Sequence, residues 1–169
     1  MKGRQAYGIL LLIACVLTVC SGCIAGEEVR VKSGDTVLVH YTGTLENGTV
    51  FDSSAGREPL RFTVGKGEVI TGFDEGVVGM RVGEEKTLRI PADRAYGPYR
   101  EDLVIILDPA EIAGKENLTV GDQVGIPLQN GQVLPARVVA VSADAVTIDA
   151  NHRLAGEDLT FHISLVEIV

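Results

Sequence analysis

The sequence predicts a mostly β, α+β fold, and three observations carry that prediction. Glycines and Asn-Gly pairs punctuate the chain at short intervals. The runs between them are rich in valine, isoleucine and threonine, which suit a pleated, half-buried surface. Only one segment of the first half spaces its apolar residues as a helix does. Short antiparallel strands joined by hairpins satisfy all three.

The elements follow in order. Residues 36–42 alternate, with Val37, Val39 and Tyr41 facing one way and Thr36, Leu38 and His40 the other. Asn47-Gly48 then makes a tight turn, because both residues accept the positive φ that a hairpin needs. Residues 49–52 return as the second strand, and 61–64 and 87–90 are further short strands. The helix is expected over 71–80, where Phe73, Val77 and Met80 share a face. Thr71 is its candidate cap, and Asp74 lies near its positive end. Gly76 and Gly79 weaken it, so packing on the sheet must hold it.

Tyr96-Gly97-Pro98 closes this pattern and a different one begins. Val104-Ile105-Ile106-Leu107 is apolar without alternation. Asp108-Pro109-Ala110-Glu111 reads as the start of a short helix, with Asp as cap and Pro in first position, and Gly114 ends it. Strands are expected at 123–128, 133–141 and 145–149, the first two separated by Asn130-Gly131. Residues 100–150 thus form a helix-plus-sheet unit of their own. In the last strand Leu159, Phe161, Ile163 and Leu165 alternate. Gly34-Asp35 with Asn47-Gly48 is echoed by Gly121-Asp122 with Asn130-Gly131, at different spacing. That is shared turn chemistry and not a repeat.

The N-terminal segment, 1–23, has another character. Lys2 and Arg4 precede the apolar run 9–19, and Ser21-Gly22-Cys23 supplies small residues before a cysteine. This is the order of a secretory signal, and the run is short for a membrane span. All three cysteines, Cys15, Cys20 and Cys23, lie here, so the remainder has neither a disulfide framework nor a cysteine metal site. The segment resembles a lipoprotein signal with lipid carried on Cys23, although Cys20 stands where that pattern usually has leucine. The expectation is an exported protein anchored to the outer face of the cytoplasmic membrane or cell envelope. An uncleaved signal-anchor helix is the alternative anchor.

Composition excludes several functions. The net charge is −8 and no basic stripe or arginine cluster occurs, so no nucleic-acid partner is expected. His40, His152 and His162 are scattered without ligand spacing, and no metal or cofactor is expected. Ser53 and Ser54 lack a GxSxG setting, and Gly65 and Gly67 beside Lys66 lack the spacing of a phosphate loop. Asn47-Gly48-Thr49 and Asn117-Leu118-Thr119 are formal glycosylation acceptors.

Four motifs stand in order: Val39-His40-Tyr41-Thr42-Gly43, Gly48-Thr49-Val50-Phe51-Asp52-Ser53-Ser54, Gly65-Lys66-Gly67-Glu68-Val69-Ile70 and Ala95-Tyr96-Gly97. Together they resemble the FKBP-type prolyl isomerases, in that family's order and near its spacing, and 158–169 matches its closing strand. Residues 100–149 replace the flap over the active site and resemble the inserted chaperone domain of the SlyD-like branch. Asn151-His152-Arg153-Leu154-Ala155-Gly156 also looks like that branch. The resemblance implies an antiparallel half-barrel sheet around one short helix, formed by 24–99 with 150–169. It places Tyr41, Phe51, Asp52 and Tyr96 in catalysis, and Leu60, Phe62, Val69, Ile70, Phe73 and Phe161 against substrate. Leu60 stands where many relatives have phenylalanine, and Phe73 where many have tryptophan. Weaker affinity for macrolide-type ligands and an altered peptide preference follow.

The implied partners are unfolded or proline-containing polypeptides. The exchange they undergo needs no nucleophile. Rotation about a peptide C–N bond faces a barrier of roughly 18–20 kcal/mol, and the twisted state has lost amide resonance. It is less dipolar than the planar ground state, so a dry apolar wall favours it selectively. Phe51, Val69, Ile70, Phe73 and Phe161 would form that wall. Tyr96 would donate to a substrate carbonyl, and Asp52 would orient Tyr41. Tyr41, Phe62, Ile70 and Phe161 could instead simply be core. A holding chaperone with a vestigial pocket is the rival reading.

Overall fold

The computed structural model describes residues 28–109, 112, 118–127 and 131–169. The N-terminal segment with Cys23, most of the short helix expected after Asp108, Asn117 of the second sequon and Asn130 of the second Asn-Gly turn lie outside them. Among the described residues no helix is long and apolar enough to cross a membrane.

Two antiparallel sheets account for the strands. The first contains β1 (Thr36–Leu45), β2 (Val50–Ser53), β3 (Leu60–Thr63), β4 (Glu85–Ile90) and the closing strand β9 (Leu159–Ile168). Its order is β2-β1-β9-β4, and β1 pairs β3 through Thr36–Val39 and β2 through Thr42–Thr44. One long strand therefore serves two short partners on one edge and β9 on the other. The alternation expected in β1 and β9 is present: Val37, Val39, Leu159, Ile163 and Leu165 are buried on the face covered by α1 (Thr71–Gly76). The second sheet has the order β5-β8-β7-β6, from β5 (Val104–Leu107), β6 (Gln123–Pro127), β7 (Val133–Val141) and β8 (Val146–Asp149). Val124, Ala136, Val138, Val146 and Ile148 form an apolar cluster separate from that of the first sheet.

The helix is shorter than the periodicity suggests. It ends at Gly76, and the chain turns through Gly79 at φ 83°. Thr71 is not its cap; Ile70, extended at ψ 146°, occupies that position without a side-chain hydrogen bond. The Asp74 carboxylate accepts instead from the Gly65 backbone N–H at 2.9 Å, tying the helix to the preceding loop. Its glycines have a packing reason. A Cβ on Gly72 would lie 2.3 Å from Ile90 Cγ2, and one on Gly76 would lie 2.1 Å from Leu88 Cδ1. The helix gives up propensity so that its backbone can lie directly on β4.

The shared turn chemistry is visible atom by atom. At Lys32–Asp35 the Asp35 N–H donates to Lys32 O, and its carboxylate accepts the Lys32 N–H at 2.9 Å. Gly34 supplies the positive φ, 94°, that the third position of such a turn requires. Thr119–Asp122 repeats every one of these bonds around Gly121. Arg81–Glu84 makes a third copy around Gly83, with glutamate in place of aspartate. The third copy is not apparent from the Gly-Asp pairing alone.

Candidate active site

A cavity of about 170 Å³ opens between α1 and the concave face of the first sheet. Tyr41 comes from β1, Phe51 and Asp52 from β2, Leu60 from β3, and Phe161 from β9. Val69 and Ile70 lead into α1, Phe73 lies on it, and Tyr96 follows β4. Phe161 is the hub. Its ring meets Tyr41, Phe51 and Phe73 at centroid distances of 6.0, 5.5 and 5.1 Å, the last two edge to face. Such packing puts electron-poor ring edges against electron-rich faces and fixes the wall's shape.

This convergence depends on Gly43, which pairs with Phe161 across β1 and β9. A Cβ there would lie 2.6 Å from Phe51 Cζ and 3.0 Å from Phe161 Cε1. The strand carries glycine so that two rings can close over its backbone.

One expected member is elsewhere. Phe62 does not line the cavity; at 2 % exposure it packs behind Phe73, rings 5.7 Å apart, as core. Residue 62 faces inward on β3, and Phe73 lies between it and the opening.

The polar side of the cavity is a fixed network. The Tyr41 hydroxyl donates to Asp52 Oδ2 at 2.6 Å. Asp52 Oδ1 accepts from the Ser53 N–H at 2.8 Å and from Arg57 Nη2 at 2.9 Å. Arg57 also donates to the Ser53 carbonyl. Behind this, Ser54 is buried, and its hydroxyl accepts the Tyr41 N–H at 2.9 Å and meets His40 Nδ1 at 3.0 Å. Burial first, then the bond to Asp52, pushes the Tyr41 phenol up to about 12. The same bond, helped by Ser53 and Arg57, holds the Asp52 carboxyl below its ordinary value against the effect of burial. Both groups therefore keep one protonation state, neutral phenol and carboxylate, across the physiological range.

Tyr96 stands at the rim, 40 % exposed. Among the described residues its hydroxyl makes no hydrogen bond, and its ring lies flat on His152 with centroids 3.9 Å apart. Arg57, Glu68 and His152 join the site without having been singled out. Glu68 and His152 sit inside motifs already quoted, but nothing in the spacing of Arg57 marks it. His40 and His162 are not scattered in space. They line one shallow groove on the outer sheet face with Glu85, whose carboxylate lies 3.7 Å from His162 Nε2. No group of three or more His, Cys, Asp or Glu placed to hold a metal occurs among the described residues.

Residues 27–166 match the family model described as FKBP-type peptidyl-prolyl cis-trans isomerase. The chain is 37 % identical to the short-type peptidyl-prolyl cis-trans isomerase of Methanocaldococcus jannaschii, over 82 % of this chain and 94 % of that protein. It is 39 % identical to FK506-binding protein 2 of Yarrowia lipolytica, over 66 % of this chain and 92 % of that one. It is 32 % identical to the FKBP-type peptidyl-prolyl cis-trans isomerase SlyD of Yersinia pestis, over 82 % of this chain and 71 % of that one.

Proposed function

Because the chain belongs to the FKBP-type peptidyl-prolyl cis-trans isomerases, we propose that it catalyses exchange at X-Pro bonds of unfolded, exported polypeptides captured by its second sheet. The observation that carries the X-Pro reading is the cavity itself. An aromatic wall has a Tyr41–Asp52–Arg57 network at one lip and, at the other, a Tyr96 hydroxyl that makes no hydrogen bond among the described residues.

The proline ring enters against Phe51, Val69, Ile70, Phe73 and Phe161. Tyr96 donates to a carbonyl of the bound peptide and fixes its register. The X-Pro bond then twists beside apolar walls that disfavour the dipolar planar amide, and the Asp52 carboxylate faces the developing ketone-like carbonyl carbon. Each ~1.4 kcal/mol by which the wall prefers the twisted state is a tenfold gain in rate. No bond is made or broken.

Capture rests on exposed apolar side chains of the second sheet. Ile106 is 71 % exposed and Val133 64 %, while Val138 and Ile148 are fully buried in the same sheet. Residues 100–149 act as an inserted unit and 24–99 with 150–169 as the isomerase unit, which the two separate apolar clusters support. Tethering capture beside the pocket raises the local concentration of substrate. In a proline-limited refolding assay, replacing 100–149 by a short loop is expected to abolish most catalysis of protein refolding and to spare exchange in a short proline peptide. Equal refolding catalysis by both forms would refute capture. Refolding suppression with no peptide exchange in the full chain would favour the holding-chaperone reading.

The cell-surface location follows from the N-terminal pattern, with Cys23 as the lipid-bearing residue. A Cys23→Ser variant is expected to leave the membrane fraction, and one that stays at wild-type level would point to an uncleaved signal-anchor helix. Macrolide-type ligands would enter the same pocket, bound weakly because Phe73 lacks an indole N–H at the floor.

A further inference from the structure

Tyr96 lies in no strand or helix, so something else must hold its ring at the rim. His152 does. The two planes are 9° from parallel, and His152 belongs to the segment returning from the second sheet. Its own ring is fixed, since the Leu154 N–H donates to His152 Nδ1 at 3.2 Å and the Ala155 N–H to its carbonyl at 2.8 Å. The two segments are then stitched on either side of the stack. The Gly156 N–H donates to Gly97 O at 2.8 Å. Asn151 receives the Arg100 N–H at 2.9 Å and donates to the Arg100 carbonyl at 2.8 Å.

We propose that His152 is a positioning residue for the isomerase reaction: its neutral ring holds Tyr96 in place, and protonation at Nδ1 loosens Tyr96 and lowers activity in acid. The inference rests on the reading of Tyr96 as a substrate-carbonyl donor. An Nδ1 that accepts the Leu154 N–H carries a lone pair, so the neutral ring bears its proton on Nε2. A second proton must go onto Nδ1 and would meet that N–H head on, opening the 152–155 turn.

The surrounding charges agree. A cation on the Tyr96 face is favoured by the stack alone, but burial and then Arg153 oppose it, and the imidazole is held below its ordinary value. The cleft that His152 also lines brings Arg137 from β7, Asp149 from β8, Tyr99, Arg153 and Glu157. Of its carboxylates, Asp149 is already committed to the Asn151 N–H at 2.8 Å and the Tyr99 hydroxyl at 3.1 Å. The sign is that of a lowered base. The contribution of neutral His152 is complete above its unfolded value, roughly 6.5, and is lost as pH falls through the lower folded value.

The test measures kcat and KM on a proline peptide from about pH 5 to 8 for wild type, His152→Phe and His152→Ala, with His152 and Tyr96 followed by NMR. Wild-type activity is expected to fall in acid together with the His152 titration. His152→Phe stacks but cannot titrate, and is expected to show a flat profile across this range, without the acid limb, whatever its absolute rate. His152→Ala is expected to lose roughly 2- to 10-fold at neutral pH, the contribution of an aromatic pair, and to converge on wild type in acid, where the protonated ring no longer holds Tyr96. An unchanged acid limb in His152→Phe would overturn the inference, as would full neutral activity in His152→Ala. Tyr96 resonances indifferent to the His152 titration would overturn it without reference to catalysis. A fully active Tyr96→Phe, by contrast, removes the donor role of Tyr96 and leaves the coupling standing.

Discussion

Asp52→Ala is expected to lower kcat/KM for X-Pro exchange by about 10- to 100-fold while leaving the fold intact. The side chain is 45 % exposed and packs into no core, so its removal leaves no cavity. What is lost is a charge-assisted network. Hydrogen bonds to ionised groups contribute about 1.5–3 kcal/mol, and without Asp52 the Tyr41 hydroxyl loses its acceptor and the Arg57 guanidinium keeps only the Ser53 carbonyl. Asp52→Asn keeps the shape and one acceptor without the charge, and is expected to fall between. The pH profile supplies a second signature. A carboxyl lowered in the fold contributes fully above its unfolded value, about 3.9, and that contribution is lost only as pH falls through the lower folded value. Tyr41 has the opposite sign: its phenol, pushed up to about 12, is favoured in neutral form below the usual tyrosine value and lost only above it. The pair should therefore give a flat rate through neutrality. Steady-state kinetics on a proline peptide, with a thermal melt as control, decides it. Wild-type kcat/KM in Asp52→Ala would remove Asp52 from the site.

How much of this was legible in the sequence depends on whether a feature is local. Alternation in 36–42 and 159–165 is a period-two signal, and β1 and β9 carry it with Val37, Val39, Leu159 and Ile163 fully buried. The length of α1 was not legible, because Val77 and Met80 continue the apolar face after the regular helix has ended at Gly76. Periodicity reports which side chains are buried, not whether the residues between them are helical. Thr71 failed as cap because the helix starts one residue earlier than its polar side chain suggests: the Phe73 and Asp74 N–H groups it would have served donate to the Ile70 carbonyl. Phe62 and Phe73 are alike in composition and burial, and only the stacking order of their rings decides which one lines the cavity. His152 reaches the site through a tertiary contact with Tyr96 that no spacing encodes, whereas Arg57 folds back locally on Asp52 from the loop after β2 and belongs to no motif that marks it.

Gly43→Ala is expected to destabilise the protein by about 1–3 kcal/mol, the range for overpacking a filled site, and to raise KM as well. The sign is the informative part. Gly43 lies within β1 and its φ is not positive, so alanine suits the backbone. On chain entropy alone the change would stabilise by about 0.4–1 kcal/mol. The opposing term is steric, from the Phe51 and Phe161 rings that would lie 2.6 to 3.0 Å from the new methyl group. Phe161 is buried at the hub and cannot yield, whereas Phe51 on short β2 is half-buried and can. Phe51 should therefore swing outward, relieving part of the strain and breaking the wall that holds the proline ring. Stability and substrate affinity fall together because one ring serves both. A second substitution separates them: Gly43→Ala with Phe51→Leu should recover most of the stability and none of the affinity, a coupling that a double-mutant cycle isolates. Chemical denaturation and peptide kinetics on the four variants decide it. A Gly43→Ala protein as stable as wild type would show that the rings do not depend on the missing side chain.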